Sequence, residues 1–170
     1  PTLYAKYVDQ LQEAVDAGAT HYTALQCCNN EGGAQRVFEI SDGIEMEILY
    51  NYFYEYDSDK ENNYSVCLMF NQGDKHFLFT GDLEKEGEEY LVQYNELPKV
   101  ELFKAGHHGS GTSSNDALLS VIDPEIICVC CCAGAWSTPR TLKTLSRISL
   151  PSIGSRSIPI LSLIHISEPT

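Results

Sequence analysis

Basic residues are scarce in this chain. Eleven Lys and Arg stand against 24 Asp and Glu, giving a formal net charge of -13. Tight, non-specific nucleic-acid binding relies on Lys and Arg displacing counterions from phosphates. The composition argues against such a surface but leaves open a nucleic acid held through a metal. Long apolar runs are also missing, since no uninterrupted stretch approaches the roughly 20 residues that span a bilayer. The opening "PTLYAKYVDQ" lacks the basic-then-apolar pattern of a signal peptide. The seven cysteines are odd in number and bunched, which speaks against a disulfide framework.

Four of those cysteines crowd into "EIICVCCCAG", an apolar run between Pro124 and Gly134. Along a strand, Cys128, Cys130 and Cys132 would share one face, with Val129 and Cys131 on the other. Metal-binding pairs usually have a turn between them, as in Cys-x-x-Cys. The run therefore reads as buried strand thiols, because free Cys behaves as a small hydrophobe. A reducing environment, or protection by burial, keeps them free.

A length of 170 residues with 43% hydrophobic residues describes one globular domain. Charge divides it unevenly. Residues 1–136 carry a balance of -16 and residues 137–170 a balance of +3. The last stretch is rich in Ser, Ile and Pro, shows no sustained period, and has prolines at 151, 159 and 169 that interrupt regular elements. It reads as a linker, a tail, or a cloning or sequencing scar, and the ending "LSLIHISEPT" resembles translated adapter sequence. Residues 1–148 are thus taken as the domain and 149–170 as an aberrant or disordered tail.

Periodicity sets the elements. "TLYAKYVDQLQEAVDAGA" spaces Tyr4, Tyr7, Val8, Leu11 and Val15 as a helix that Gly18 can end. "RVFEI" and "IEMEILY" flank a Ser-Asp-Gly hairpin turn. "NYFYEYDSDKENN" follows as an acidic, tyrosine-rich loop, either a half-buried excursion or a stacking platform. "YSVCLMF" and "HFLFT" form two apolar strands around "NQGD". The helix "LEKEGEEYLVQY", the strand "VELFKA", the capped helix "SSNDALLSVI" and the strand "EIICVCC" come next. "STPRTLKTLSRI" could add a short helix with Pro139 at its first position. Strands first and then alternation with helices indicates a layered α/β fold.

Two strand ends can carry chemistry, since functional groups in such folds sit where strands give way to loops. "HFLFTGDLE" delivers Asp82 behind Gly81. "VELFKAGHHGS" delivers His107 and His108 in the same way. A carboxylate with imidazoles suits zinc or manganese. A carboxylate bridging two such ions can generate hydroxide and stabilise a developing oxyanion. Each half also has a plainer role, as a helix cap or as loop polarity, and one Asp with two His does not close a dinuclear site.

The segments "NNYSVCLMF", "FLFTGDLEKEGEEYL" and "LFKAGHHGSGTSS" together resemble the later half of a metallo-β-lactamase-fold hydrolase. The resemblance is nearest to the hydrolase domain of ComEC-type DNA-uptake proteins and their free-standing bacterial relatives. It covers about residues 1–148, and its specific part runs from Asn62 to Ser114. It implies the later part of a layered αββα fold. It also implies a zinc site, which in the intact family holds two metals and also suits manganese. Asp82 matches the bridging aspartate. Of the histidine pair one binds metal, with His108 favoured, and His107 meets substrate as the catalytic group. Lys104 and Ser110 match positions that contact an anionic substrate.

The chain also departs from that pattern. The motif His-x-His-x-Asp-His that normally precedes this region does not occur, and His21 is the one histidine before His76. Asn51 and Tyr52 stand where many superfamily members carry a further histidine. The expectation is a fragment of a metal-dependent hydrolase of phosphodiesters or related esters, with weak metal binding and little turnover. Its partner would be an anionic ester, including nucleic acid reached through metal. The alternative is a binding or regulatory module that kept the fold without the chemistry. A bacterial source is implied, with no preference between cytoplasm and an exported or membrane-attached position.

Overall fold

The computed structural model describes residues 3–132 and 160–165. Four α-helices lie among them: α1 (Leu3–Asp16), α2 (Ala24–Asn29), α3 (Lys85–Tyr94) and α4 (Asp116–Ile122). The strands are β1 (Val37–Ser41), β2 (Ile44–Leu49), β3 (Cys67–Gln72), β4 (Lys75–Phe79), β5 (Leu102–Lys104), β6 (Ile126–Cys132) and β7 (Ile160–His165). They make a single sheet in sequence order. β1 to β4 pair antiparallel, with short turns between β1 and β2 and between β3 and β4 and the tyrosine-rich loop between β2 and β3. From β4 onward the pairs are parallel; α3 and α4 carry the chain back to the starts of β5 and β6. The mixed α/β class expected from the pattern is therefore present.

Period-2 alternation sends Leu49, Met69, Leu78, Phe103, Ile127 and Val129 to one face. There they meet Leu83, Leu91, Leu118, Leu119 and Ile122 in the main core. Each such side chain contributes about 1.5–3 kcal/mol on burial. On the opposite face, α2 covers only Ile48 and its neighbours Phe38, Met46 and Leu68. Thr23 starts α2 with a capping box to Gln26, a signal the sequence reading passed over. Further along this face, Phe70, Phe77, Phe79, Leu102, Ile126, Cys128 and Cys130 are only half-buried.

That uncovered face corrects the cysteine reading. Cys128 and Cys130 do share a strand face, with Sγ atoms 4.0 Å apart, but it is the open face. Among the described residues Cys27, Cys28, Cys67, Cys128 and Cys130 are free thiols, as expected. Burial pushes the Cys28 thiol up to about 11, well above the range in which thiolates form at neutral pH. The first helix also differs from expectation. Its period is present, yet Tyr7, Val8 and Val15 of the stripe are exposed.

The acidic loop settles as two short 3₁₀ turns. Phe53 is buried, and the Tyr52 ring stacks at 4.2 Å on both Tyr56 and Tyr90. Residues 160–165, within the stretch expected to be irregular, form a parallel strand against β6. They lie between the prolines at 159 and 169, where a strand can run uninterrupted. The helix expected in "STPRTLKTLSRI" lies outside the described residues.

The open face makes a prediction. A contiguous apolar patch of this kind binds hydrophobic dyes and drives association. The chain should enhance 8-anilinonaphthalene-1-sulfonate fluorescence and sediment as more than a monomer. Phe70→Lys should reduce both while leaving the far-UV circular dichroism intact. Dye binding unchanged by this substitution would place the patch elsewhere.

Candidate metal site at two strand ends

Parallel pairing of β4, β5 and β6 brings their carboxyl ends to one edge of the sheet. The turn after β4 holds Gly81 at φ +59, and a Cβ there would lie 3.0 Å from Ser65 Cβ. Glycine is thus required, and the close approach lets the Asp82 N–H donate to Ser65 Oγ at 3.0 Å. Asp82 is held by its backbone, with its carboxylate 38% exposed at the rim.

After β5 the chain makes a tight turn, Gly106–Gly109, with His107 at φ 46, ψ 49 and His108 at φ 55, ψ 29. Two successive non-glycine residues in the left-handed region are costly, about 1–3 kcal/mol each, and such strain clusters at functional sites. Neighbouring contacts hold it. His107 N–H donates to the Gly81 carbonyl at 3.0 Å, and a Cβ on Gly109 would come within 2.9 Å of Val129 Cγ1. His107→Gly should remove one strained residue and raise the unfolding free energy by about 1 kcal/mol, read as a higher midpoint in urea. A lower midpoint would mean that the imidazole supports the fold.

The His108 ring is oriented by β6. Its Nδ1 lies 2.8 Å from the Cys130 carbonyl oxygen. A carbonyl can only accept, so Nδ1 carries the proton and Nε2 is free to bind. Nε2 lies 3.7 Å from Asp82 Oδ1. A carboxylate oxygen and an imidazole nitrogen facing each other at this range can share a metal ion. Ligand atoms on one tetrahedral zinc sit about 3.4 Å apart, from bond lengths of roughly 2.0–2.1 Å. A backbone carbonyl accepting from the other ring nitrogen is the usual support for a metal-binding histidine. The pair therefore fits two members of a zinc ligand set. Among the described residues no group of three or more His, Cys, Asp or Glu is gathered in this way.

The remaining candidates are placed differently. His107 lies beside His108, ring centroids 6.5 Å apart, with Nδ1 3.3 Å from Thr112 Oγ1. Ser110 is buried, 8% exposed, and its hydroxyl bonds Thr112 Oγ1 at 3.0 Å. Lys104 ends β5 half-buried on the open sheet face. Sequence reasoning missed Ser65, the Cys130 carbonyl and Glu88. For the last, the spacing to Leu91 and Val92 was the signal, since it places Glu88 on the inward stripe of α3.

The fold and this edge define a mixed α/β protein with an Asp–His pair at adjacent strand ends. No family model matches the chain. It is 31% identical over 106 residues to ComE operon protein 3 of Bacillus subtilis, covering 59% of this chain and 13% of that protein. It is 36% identical over 85 residues to competence protein ComA of Neisseria gonorrhoeae, covering 49% and 12%. A third relative, recombination protein 2 of Haemophilus influenzae, is 31% identical over 77 residues, covering 45% and 9%. The chain matches about a tenth of the length of these bacterial proteins. No described helix is long and apolar enough to cross a membrane.

Proposed function

We propose that the chain is the later part of a metallo-β-lactamase-like hydrolase domain that cleaves phosphodiester or related ester bonds in the setting of DNA uptake. The observation that carries this reading is the Asp82–His108 pair, 3.7 Å apart with the His108 ring aimed by the Cys130 carbonyl. The competence name of one relative supports the setting. The half-buried apolar sheet face supports the layered αββα architecture, in which a second sheet would cover it.

Asp82 and His108 would hold zinc, or manganese, and a bound ion supplies Lewis acidity at neutral pH. Asp82 orients through its backbone bond to Ser65, so its carboxylate stays at the rim. His107, half-buried beside the pair, is placed to exchange a proton with a substrate oxygen. Lys104 and Ser110 are the proposed contacts for an anionic substrate, and Ser110 would give up its bond to Thr112 to reach one.

A second reading is favoured by one observation: no third ligand joins the pair among the described residues. On that reading the chain is a binding or regulatory module without chemistry. Turnover of bis(p-nitrophenyl) phosphate with zinc or manganese separates the two. Slow, metal-dependent hydrolysis that disappears in Asp82→Asn supports the enzyme, whereas zinc binding without any turnover supports the module. A hydrolytic rate indifferent to Asp82→Asn would reject the assigned site.

A further inference from the structure

The buried carboxylate of Glu88 has no part in the chemistry described above. It lies on α3, six residues after Asp82, and is 0% exposed. One carboxylate oxygen accepts the Ser114 N–H at 2.7 Å and the other accepts the Asn115 N–H at 2.8 Å. Ser114 is held at φ +57, a left-handed conformation costly for serine. Its hydroxyl in turn accepts the Gly106 N–H at 3.2 Å, and the next residue is His107. A Cβ at Gly106 would lie 3.3 Å from a Glu88 oxygen, so glycine there lets the carboxylate lie close to the start of the histidine turn.

The same region is stitched on the Asp82 side. Ser113 Oγ donates to the Leu83 carbonyl at 2.7 Å, the Lys85 N–H donates to the Thr112 carbonyl at 2.9 Å, and Asn115 Nδ2 donates to the Lys85 carbonyl at 2.9 Å. Burying a carboxylate is expensive, and a well-packed apolar side chain is often no worse for stability. A buried charge bonded to backbone N–H groups of a strained loop fixes geometry instead.

We propose that Glu88 is a positioning residue that fixes the His107–His108 turn against the Asp82 turn and so presets the Asp82–His108 pair. The proposal rests on the metal reading for its purpose, but its physical content is the orientation of His108, which can be read without metal.

The test compares wild type, Glu88→Gln, Ser114→Gly and Ile48→Val by long-range ¹H–¹⁵N spectra of the imidazoles, first metal-free and then with zinc. Glu88→Gln keeps the shape but points an amide N–H at a backbone N–H. Ser114→Gly breaks the relay to Gly106 while leaving the carboxylate in place, so it reports even where Glu88→Gln fails to fold. Ile48→Val is the control, in the other apolar cluster. Wild type and the control should show His108 with its proton on Nδ1. In both Glu88→Gln and Ser114→Gly that preference should fall to that of the exposed His21, with zinc affinity at least tenfold weaker, within the range typical of lost outer partners. An unchanged His108 signature in both of these variants would overturn the proposal. A lost signature in a protein whose wild type ignores zinc would uphold the positioning role and reject the metal reading.

Discussion

Phe103→Ala should lower the unfolding free energy by about 3–5 kcal/mol, the usual cost of emptying a large, fully buried aromatic site. Phe103 sits at the middle of β5, is 0% exposed, and belongs to the cluster that joins the sheet to α3 and α4. β5 is only three residues long, so little else anchors it between β4 and β6. Since a domain has about 5–15 kcal/mol in total, this variant should keep little cooperative structure at 37 °C. Phe70 gives the contrast. It lies on the open face in edge-to-face contact with Phe79 at 5.5 Å and is only half-buried. Phe70→Ala should cost clearly less than Phe103→Ala in urea titrations. The reverse order would mean that the two sheet faces have been assigned the wrong way round.

Asp82→Ala and His108→Ala should each weaken zinc binding by more than about 100-fold, beyond the loss typical of an outer partner. The wild-type isotherm itself should be shallow, because among the described residues only this pair is gathered as ligands. Both variants should fold, since the Asp82 and His108 side chains are 38% and 61% exposed and carry little of the core. His107→Ala should keep the zinc affinity and lose any turnover instead. Equal effects from the His107 and His108 variants, measured by competition against a zinc dye, would contradict the assignment of the two rings.

Much of this site was legible in the sequence. Gly81-Asp82 and Gly106-His107-His108-Gly109 stand at the ends of apolar runs, and strand ends are where such runs must stop. The β1–β2 turn and the β3–β4 turn were equally plain from Asp-Gly and Gly-Asp between alternating segments. The preference for His108 came from the family resemblance, and the geometry adds the reason, a carbonyl on β6 that no local pattern could reveal. Glu88 does not stand out among the acidic residues of the first turn of α3, where such residues ordinarily serve the helix dipole. Its partners lie 26 and 27 residues away, beyond the reach of a local pattern. Cys128 and Cys130 read as buried because free Cys behaves as a small hydrophobe, but burial also needs a layer on that side of the sheet. Here one face is open.

Imidazole spectra of the wild-type chain during a zinc titration test the central claim most directly. His108 Nε2 should shift while its Nδ1 keeps a proton, His107 should respond less, and His21 and His76 should stay still. A zinc response spread equally over all five imidazoles of the chain, or no movement of His108 at all, would contradict it.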